Sequence, residues 1–372
     1  MATTPAIAII GAGPSGLALA RLLECRGVSY IIYERDAATV EGITTLGQPR
    51  AGGTLDIHAA TGQRAIIEGG LLKEFEKYAR YDAATFKLWD YHGTQGDLRK
   101  IYLDALPAEK IRWGHALKQV TKDAEGLTVL EFADGTTASG FKLVVGADGA
   151  WSKVKALINP VAPQYCGVHY IESRINPDNP VHAAVQARVG KGMLIVGGPN
   201  KLITMQNLGD GSYRVYSGAR VPADFSTDGR VDFGDTDAMR TLVLSERFFG
   251  AAWAAEFRDY IRHSTDFRPW PLYHVPPASV AWDHVPGLTL GANYAMTDAL
   301  YLADKIAAHD GLEGDEALDR AVREYETEMF ERGAGLIKRG VQMIDMFFTE
   351  DSPRPMVEMF SGKGVPIKEE KV

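Results

Sequence analysis

Apolar residues follow three spacings along this chain. Short unbroken runs, Ala6-Ile7-Ala8-Ile9-Ile10, Tyr30-Ile31-Ile32-Tyr33 and Leu143-Val144-Val145, end in glycine or an acidic residue. They predict strands of a parallel sheet covered on both faces. Alternating stretches at 165–174, 193–196, 201–206 and 213–217 predict an antiparallel sheet with one covered face. Helical spacing appears at 61–80, where Thr61 offers a cap and Ile66, Ile67, Leu71, Leu72 and Phe75 form a stripe. It recurs at 97–106, 236–262, 292–308 and 315–348, the last being one long amphipathic helix or two. Residues 84–91 alternate as a half-buried strand, and 111–113, 117–121 and 127–132 as short ones, with Asp134-Gly135 as a hairpin turn. Residues 37–57 read as loop, 266–286 as an extended crossover rich in proline and aromatics, and 287–291 as a last strand. The tail from Asp351 reads as loosely held.

The first run leads directly into Gly11-Ala12-Gly13-Pro14-Ser15-Gly16 and a helix, and the second closes on Glu34. In a strand–turn–helix unit these glycines have separate tasks. Gly11 turns the chain, Gly13 lets a pyrophosphate approach the backbone, and Gly16 lets the helix pack on the sheet. The helix N-terminus attracts the phosphates, and Glu34 is placed to accept from a ribose hydroxyl. A glycine turn without a ligand is the alternative. A second carboxylate, Asp148, follows a buried strand in Gly146-Ala147-Asp148-Gly149. At the carboxyl edge of a parallel sheet it can accept from ribityl or ribose hydroxyls, and an unpaired charge there would be costly.

Composition narrows the classes. A chain of 372 residues that is 45% hydrophobic can bury a sizeable core and exceeds one ordinary domain. A net charge of -8 without a basic run excludes affinity built on nucleic-acid phosphates. The 2 cysteines, Cys25 and Cys166, cannot make a disulfide framework. No histidine or cysteine pair has ligand spacing, so no metal is expected, and Cys166-x-x-His169 reads as coincidence. No leader or membrane-spanning run is evident, which points to the cytoplasm.

Together with Gly52-Gly53-Thr54-Leu55-Asp56-Ile57-His58, Gly62-Gln63, Gly96-Asp97-Leu98-Arg99, Asn293 to Leu300 and Tyr325-Glu326, these motifs span nearly the whole chain. On them it resembles the class A flavin-dependent aromatic monooxygenases, in particular the tetracycline-inactivating and fungal polyketide enzymes. The resemblance implies an α/β fold: a Rossmann-like, GR2-type FAD-binding domain with an inserted antiparallel substrate domain and a long C-terminal helix. The implied boundaries are 1–83, 96–162 and 285–314 for the FAD domain, 84–95 and 163–284 for the substrate domain, 315–350 for the bridging helix, and 351–372 for the tail. It also implies FAD, reduction by NADPH, and hydroxylation of a polycyclic aromatic or enolic molecule through a flavin hydroperoxide, in a monomer. The flavin performs the chemistry, so no catalytic side chain is assigned.

The implied cofactor residues are Gly11, Gly13, Pro14, Ser15, Gly16, Glu34, Arg35, Leu55, Asp56, Arg99, Asp148 and Gly149. Those for substrate are His58, Glu172, Gln206 and Tyr213, with Trp270 and Tyr273 as candidate walls. The chain departs from the family in two places. Gly291 runs straight into Ala292-Asn293-Tyr294 without the family's Gly-Asp loop, and Gln95 stands where relatives carry an arginine that reaches the flavin. Two rival readings therefore accompany the monooxygenase: a degenerate relative that binds a small molecule without turnover, and a flavin dehydrogenase that inserts no oxygen.

Overall fold

A computed structural model describes residues 5–38, 57, 62–77, 98–124, 126–290, 296–309 and 315–360. In chain order, β1 (Ile7–Ile10), α1 (Pro14–Cys25), β2 (Tyr30–Tyr33), α2 (Gly62–Glu68), α3 (Leu72–Glu76) and α4 (Leu98–Asp104) come first. Then follow β3 (Ile111–Arg112), β4 (Leu117–Lys122), β5 (Thr128–Phe132), β6 (Thr137–Ser139), β7 (Leu143–Gly146) and α5 (Lys153–Ile158). Next are β8 (Gln164–Ile175), α6 (His182–Val189), β9 (Met193–Gly198), β10 (Lys201–Asn207), β11 (Tyr213–Arg220), α7 (Thr236–Val243), α8 (Ala255–His263) and β12 (Thr265–His274). The chain closes with β13 (Leu288–Leu290), α9 (Met296–Ala308), α10 (Asp315–Phe347) and α11 (Arg354–Phe360).

The unbroken apolar runs form a parallel sheet of order β13-β7-β1-β2-β3. Both faces are covered. Ile7 and Ile9 join the core beneath α1, α4, α9 and α10. Ala8 and Ile10 face Leu130 and Phe132 of the antiparallel β4-β5-β6 sheet and Val154 and Ile158 of α5. The chain then leaves to build the antiparallel sheet β12-β8-β11-β10-β9 and returns as β13 to the edge of the parallel sheet. The fold is thus the expected α/β architecture with an inserted antiparallel layer. One face of the inserted sheet, with Ile171, Ile203, Met205 and Val215, packs under α6, α7 and α8. Tyr170 and Leu202 on the other face meet Phe348 and Met356.

Several expected elements differ. The helix of 61–80 is two helices, because the chain turns at Gly69-Gly70, where Gly70 takes φ +70°. The helix of 236–262 is also two. The chain loops between the end of α7 at Val243 and the start of α8 at Ala255, and Phe248 and Phe249 are buried within that loop. Residues 265–274 are an edge strand rather than a crossover, and the edge tolerates Pro269 and Pro271. The periodicity did not reveal α6. The stretch from 351 is held as far as α11, with Met356 packed on Phe348 and Leu202. The expected strand at 84–91, the loop at 39–56 and the last twelve residues lie outside the described residues.

The turn from β1 to α1 is tight. A Cβ on Gly16 would lie 2.0 Å from Gly11 O, with no flexible neighbour to yield. Gly16→Ala is expected to destabilise the chain by about 1–3 kcal/mol or more, as overpacking does. Thermal unfolding of the purified variant checks this; an unchanged midpoint would show that the turn relaxes freely.

Candidate functional site

An opening lies at the carboxyl edge of the parallel sheet, where open α/β sheets bind their ligands. It is a cavity of about 1040 Å³, at the upper end of the range for small-molecule sites. Its floor is the turn between β1 and α1. Gly11 takes φ +104°, and a Cβ there would lie 2.5 Å from Ala147 O, so this turn and the end of β7 touch backbone to backbone. Gly13, by contrast, would point a Cβ into space with no atom of the described residues within 4 Å. It is the N-cap of α1 and offers no capping side chain, and Pro14 occupies the first helical turn. The N–H groups at this helix end therefore face a cavity lined by Gly13, Pro14 and Ser15.

Two carboxylates flank that floor. Glu34 is 5% exposed. It accepts the Ala12 N–H at 2.5 Å through one oxygen and the Asp36 N–H at 3.0 Å through the other. Arg99 completes the cluster. Its Nε donates to Ala12 O at 2.7 Å, and its terminal nitrogens lie 3.4 Å from Asp36 and 3.6 Å from Glu34. Sequence reasoning named Glu34 and Arg99 and missed Asp36 and His115, which line the same end of the cavity. Asp36 was visible as a second acid two residues beyond Glu34, just after β2. Arg35 lines the cavity with a 59% exposed side chain, 3.7 Å from Asp36.

On the other side of the β1–α1 turn, Asp148 sits just past the end of β7. Its Oδ2 accepts the Lys153 N–H at 2.8 Å, whereas Oδ1 is buried without a hydrogen-bond partner. Burial pushes its carboxyl above the ordinary carboxylate range, against the opposing pull of the Ser152 hydroxyl and the Lys153 N–H. Asp148 lines the cavity, and a buried acceptor without a protein partner calls for an explanation. Gly149 follows at φ +90° and turns the chain towards α5. Further lining comes from the end of β12 (Tyr273, His274), from the connector after it (Trp282) and from α9 and α10 (Met296, Met329). Tyr273 was expected there; Trp270 is not among the lining residues.

The expected substrate residues separate. Glu172 and Gln206 lie on the same face of the antiparallel sheet, each opposite a residue of β11. Glu172 pairs with buried Arg214 at 3.4 Å. Tyr213 points to the opposite face. It is buried in the core under α6 and α8, and its hydroxyl donates to Gly190 O at 2.7 Å. It is therefore a packing residue, because the hairpin register sets Gln206 against Arg214 and turns Tyr213 away. None of these three lines the cavity described above. Leu55, Asp56 and His58, the junction at 291–295 and Gln95 lie outside the described residues. Among the described residues no cluster of His, Cys, Asp and Glu could hold a metal ion. No described helix is long and apolar enough to cross a membrane.

The residues fit a dinucleotide: a helix end without a capping side chain, an open cradle at Gly13, a buried acid after β2 and an orphaned acceptor at Asp148. Comparison with known proteins agrees. Residues 3–163 match the model of an FAD binding domain. Monooxygenase penA of Penicillium thymicola is 26% identical, the match covering 86% of this chain and 90% of that protein. The 3-amino-4-hydroxybenzoate 2-monooxygenase of Streptomyces cremeus is 27% identical over 93% of this chain and 89% of its own. The solved structure of Klebsiella pneumoniae HpxO complexed with FAD and uric acid shares the fold, with TM-score 0.67 at 18% identity, covering 96% of this chain and 92% of that one. Over most of its length the chain is thus similar to monooxygenases, and its first part, residues 3–163, matches an FAD binding domain.

Proposed function

We propose that the protein binds FAD in the cavity between the β1–α1 turn and Asp148, takes reducing equivalents from NADPH, and adds one oxygen atom from O2 to a polycyclic aromatic or enolic small molecule. The observation that carries this reading is the open cradle at Gly13 and the Asp148 carboxylate lining one cavity beside the same turn. The α1 N-terminus would meet the pyrophosphate, with Gly13 leaving room and Ser15 beside it. Glu34, whose carboxylate retains lone pairs beyond its two backbone bonds, would accept from the adenosine ribose. Arg99 holds the turn in shape through Ala12 O. Asp148 would accept a hydroxyl of the flavin side chain, and Gly149 keeps that approach clear. FAD supplies the redox chemistry when bound, and the protein supplies position and a water-poor site. Glu172 and Gln206, on the sheet face away from α6–α8, are the proposed polar contacts for substrate. The domain boundaries given above, a monomeric state and a cytoplasmic location belong to the same proposal.

Purified protein should carry, or take up, one flavin with its visible spectrum. Supplied with NADPH and labelled dioxygen, it should place the label in product. Flavin reduction without label incorporation would favour the dehydrogenase, and a chain that cannot be loaded would favour the degenerate relative. Asp148→Asn, which cannot accept equally well and brings its own donors, is expected to weaken FAD by about tenfold, the worth of one good hydrogen bond to a charged group. Flavin-fluorescence titration reads this, and unchanged affinity would remove Asp148 from the site.

A further inference from the structure

A buried polar cluster on α10 reaches the same cavity from behind. Glu326 is 2% exposed. Its Oε1 accepts the Trp282 indole N–H at 3.2 Å and the Thr289 hydroxyl at 2.9 Å. Its Oε2 lies 2.7 Å from His284 Nδ1, and His284 Nε2 lies 2.7 Å from Asp319 Oδ1. Asp319 in turn accepts from Arg323 at 2.9 Å. Trp282 and His284 belong to the connector between β12 and β13, and Thr289 lies on β13. The connector lines the cavity through Val275, Ser279, Val280 and Trp282. The Trp282 ring also packs edge-on against Phe330 of α10, with centroids 4.6 Å apart.

A carboxylate is an expensive way to fill space in a core, and an apolar side chain would pack more cheaply. What Glu326 adds is direction: one acceptor set on three donors drawn from two chain segments, one of them the indole that walls the cavity. We propose that Glu326 is a positioning residue of the cofactor cavity: it holds the Trp282 indole, and through His284 the connector, as the wall against which the dinucleotide seats. The consequence for FAD rests on the reading of the function above; the holding of the indole does not.

Two readings test it in the full chain. One is FAD affinity by fluorescence titration. The other is the emission of Trp282 without cofactor, taken as the difference between the parent and Trp282→Phe. Glu326→Leu is expected to weaken FAD at least about tenfold and to shift the Trp282 emission to the red. Glu326→Gln keeps an oxygen for the indole and Thr289, and is expected to return both readings to near the parent. That rescue separates positioning from mere packing. Unchanged affinity and emission in Glu326→Leu would overturn the proposal, as would Glu326→Gln behaving like Glu326→Leu. Should Glu326→Leu fail to fold, Glu326→Asp, which withdraws the carboxylate by one methylene, takes its place with the same expected shifts and the same overturning result. If the parent takes up no FAD, the cofactor reading fails, and the emission alone decides whether Glu326 holds the indole.

Discussion

Gly13→Val is expected to abolish FAD retention while leaving the chain folded. A Cβ at Gly13 meets no atom of the described residues within 4 Å, and Gly13 lines the cavity. The residue's φ of -78° is open to any side chain. The folded state therefore meets no clash, and the N-cap position loses only the modest preference for glycine over valine. A bound pyrophosphate must approach this backbone closely, so the isopropyl group takes the ligand's place. The dissociation constant should rise by at least about a hundredfold, equivalent to about 2.7 kcal/mol, with a thermal midpoint close to the parent's. Flavin content of the purified variant and its melting curve are the two measurements. A variant that still retains flavin would remove the glycine turn from the site. One that fails to fold would contradict the open space seen beside Gly13.

The second large effect concerns acid stability. His169 on β8 is 1% exposed, packs edge-on against Phe225, and leaves both ring nitrogens buried without a hydrogen-bond partner. Burial lowers its pKa from the ordinary 6.5 to about 4. Above pH 6.5 the ring is neutral in both folded and unfolded chains and makes no difference between them. As pH falls below 6.5, the unfolded chain binds a proton that the folded chain refuses until about pH 4. Stability is lost across that window. At about 1.4 kcal/mol per pH unit the loss approaches about 3 kcal/mol. His169→Phe removes the titration, so the stability difference between parent and variant should shift in the variant's favour between pH 6.5 and 4. Urea midpoints over that range measure it, and parallel curves for the two chains would refute the assignment.

The parts of the site that were legible in the sequence are those whose geometry is local. Gly11, Gly13 and Gly16 lie within one strand–turn–helix unit, so their spacing alone states which must turn, which must stay bare and which must pack. Glu34 and Asp148 each end a buried strand, and a carboxylate in that position requires a partner or a ligand. The alternation of β8 to β11 announced an antiparallel sheet before any contact was known. The helix breaks at Gly69-Gly70 and between α7 and α8 were harder to see, because an apolar stripe continues across both.

By itself the amino-acid order determined the dinucleotide turn, the class of fold and the acids that close its strands, since each follows from a period or spacing within a short window. Only the tertiary structure decided which face of the antiparallel sheet Tyr213 and Gln206 present, because alternation fixes that neighbours differ but hairpin register fixes which side each takes. It also brought Trp282, Thr289 and Glu326 together at the back of the cavity. They come from a connector, an edge strand and a distant helix, and no local pattern records a hydrogen bond made by packing one of these segments on another.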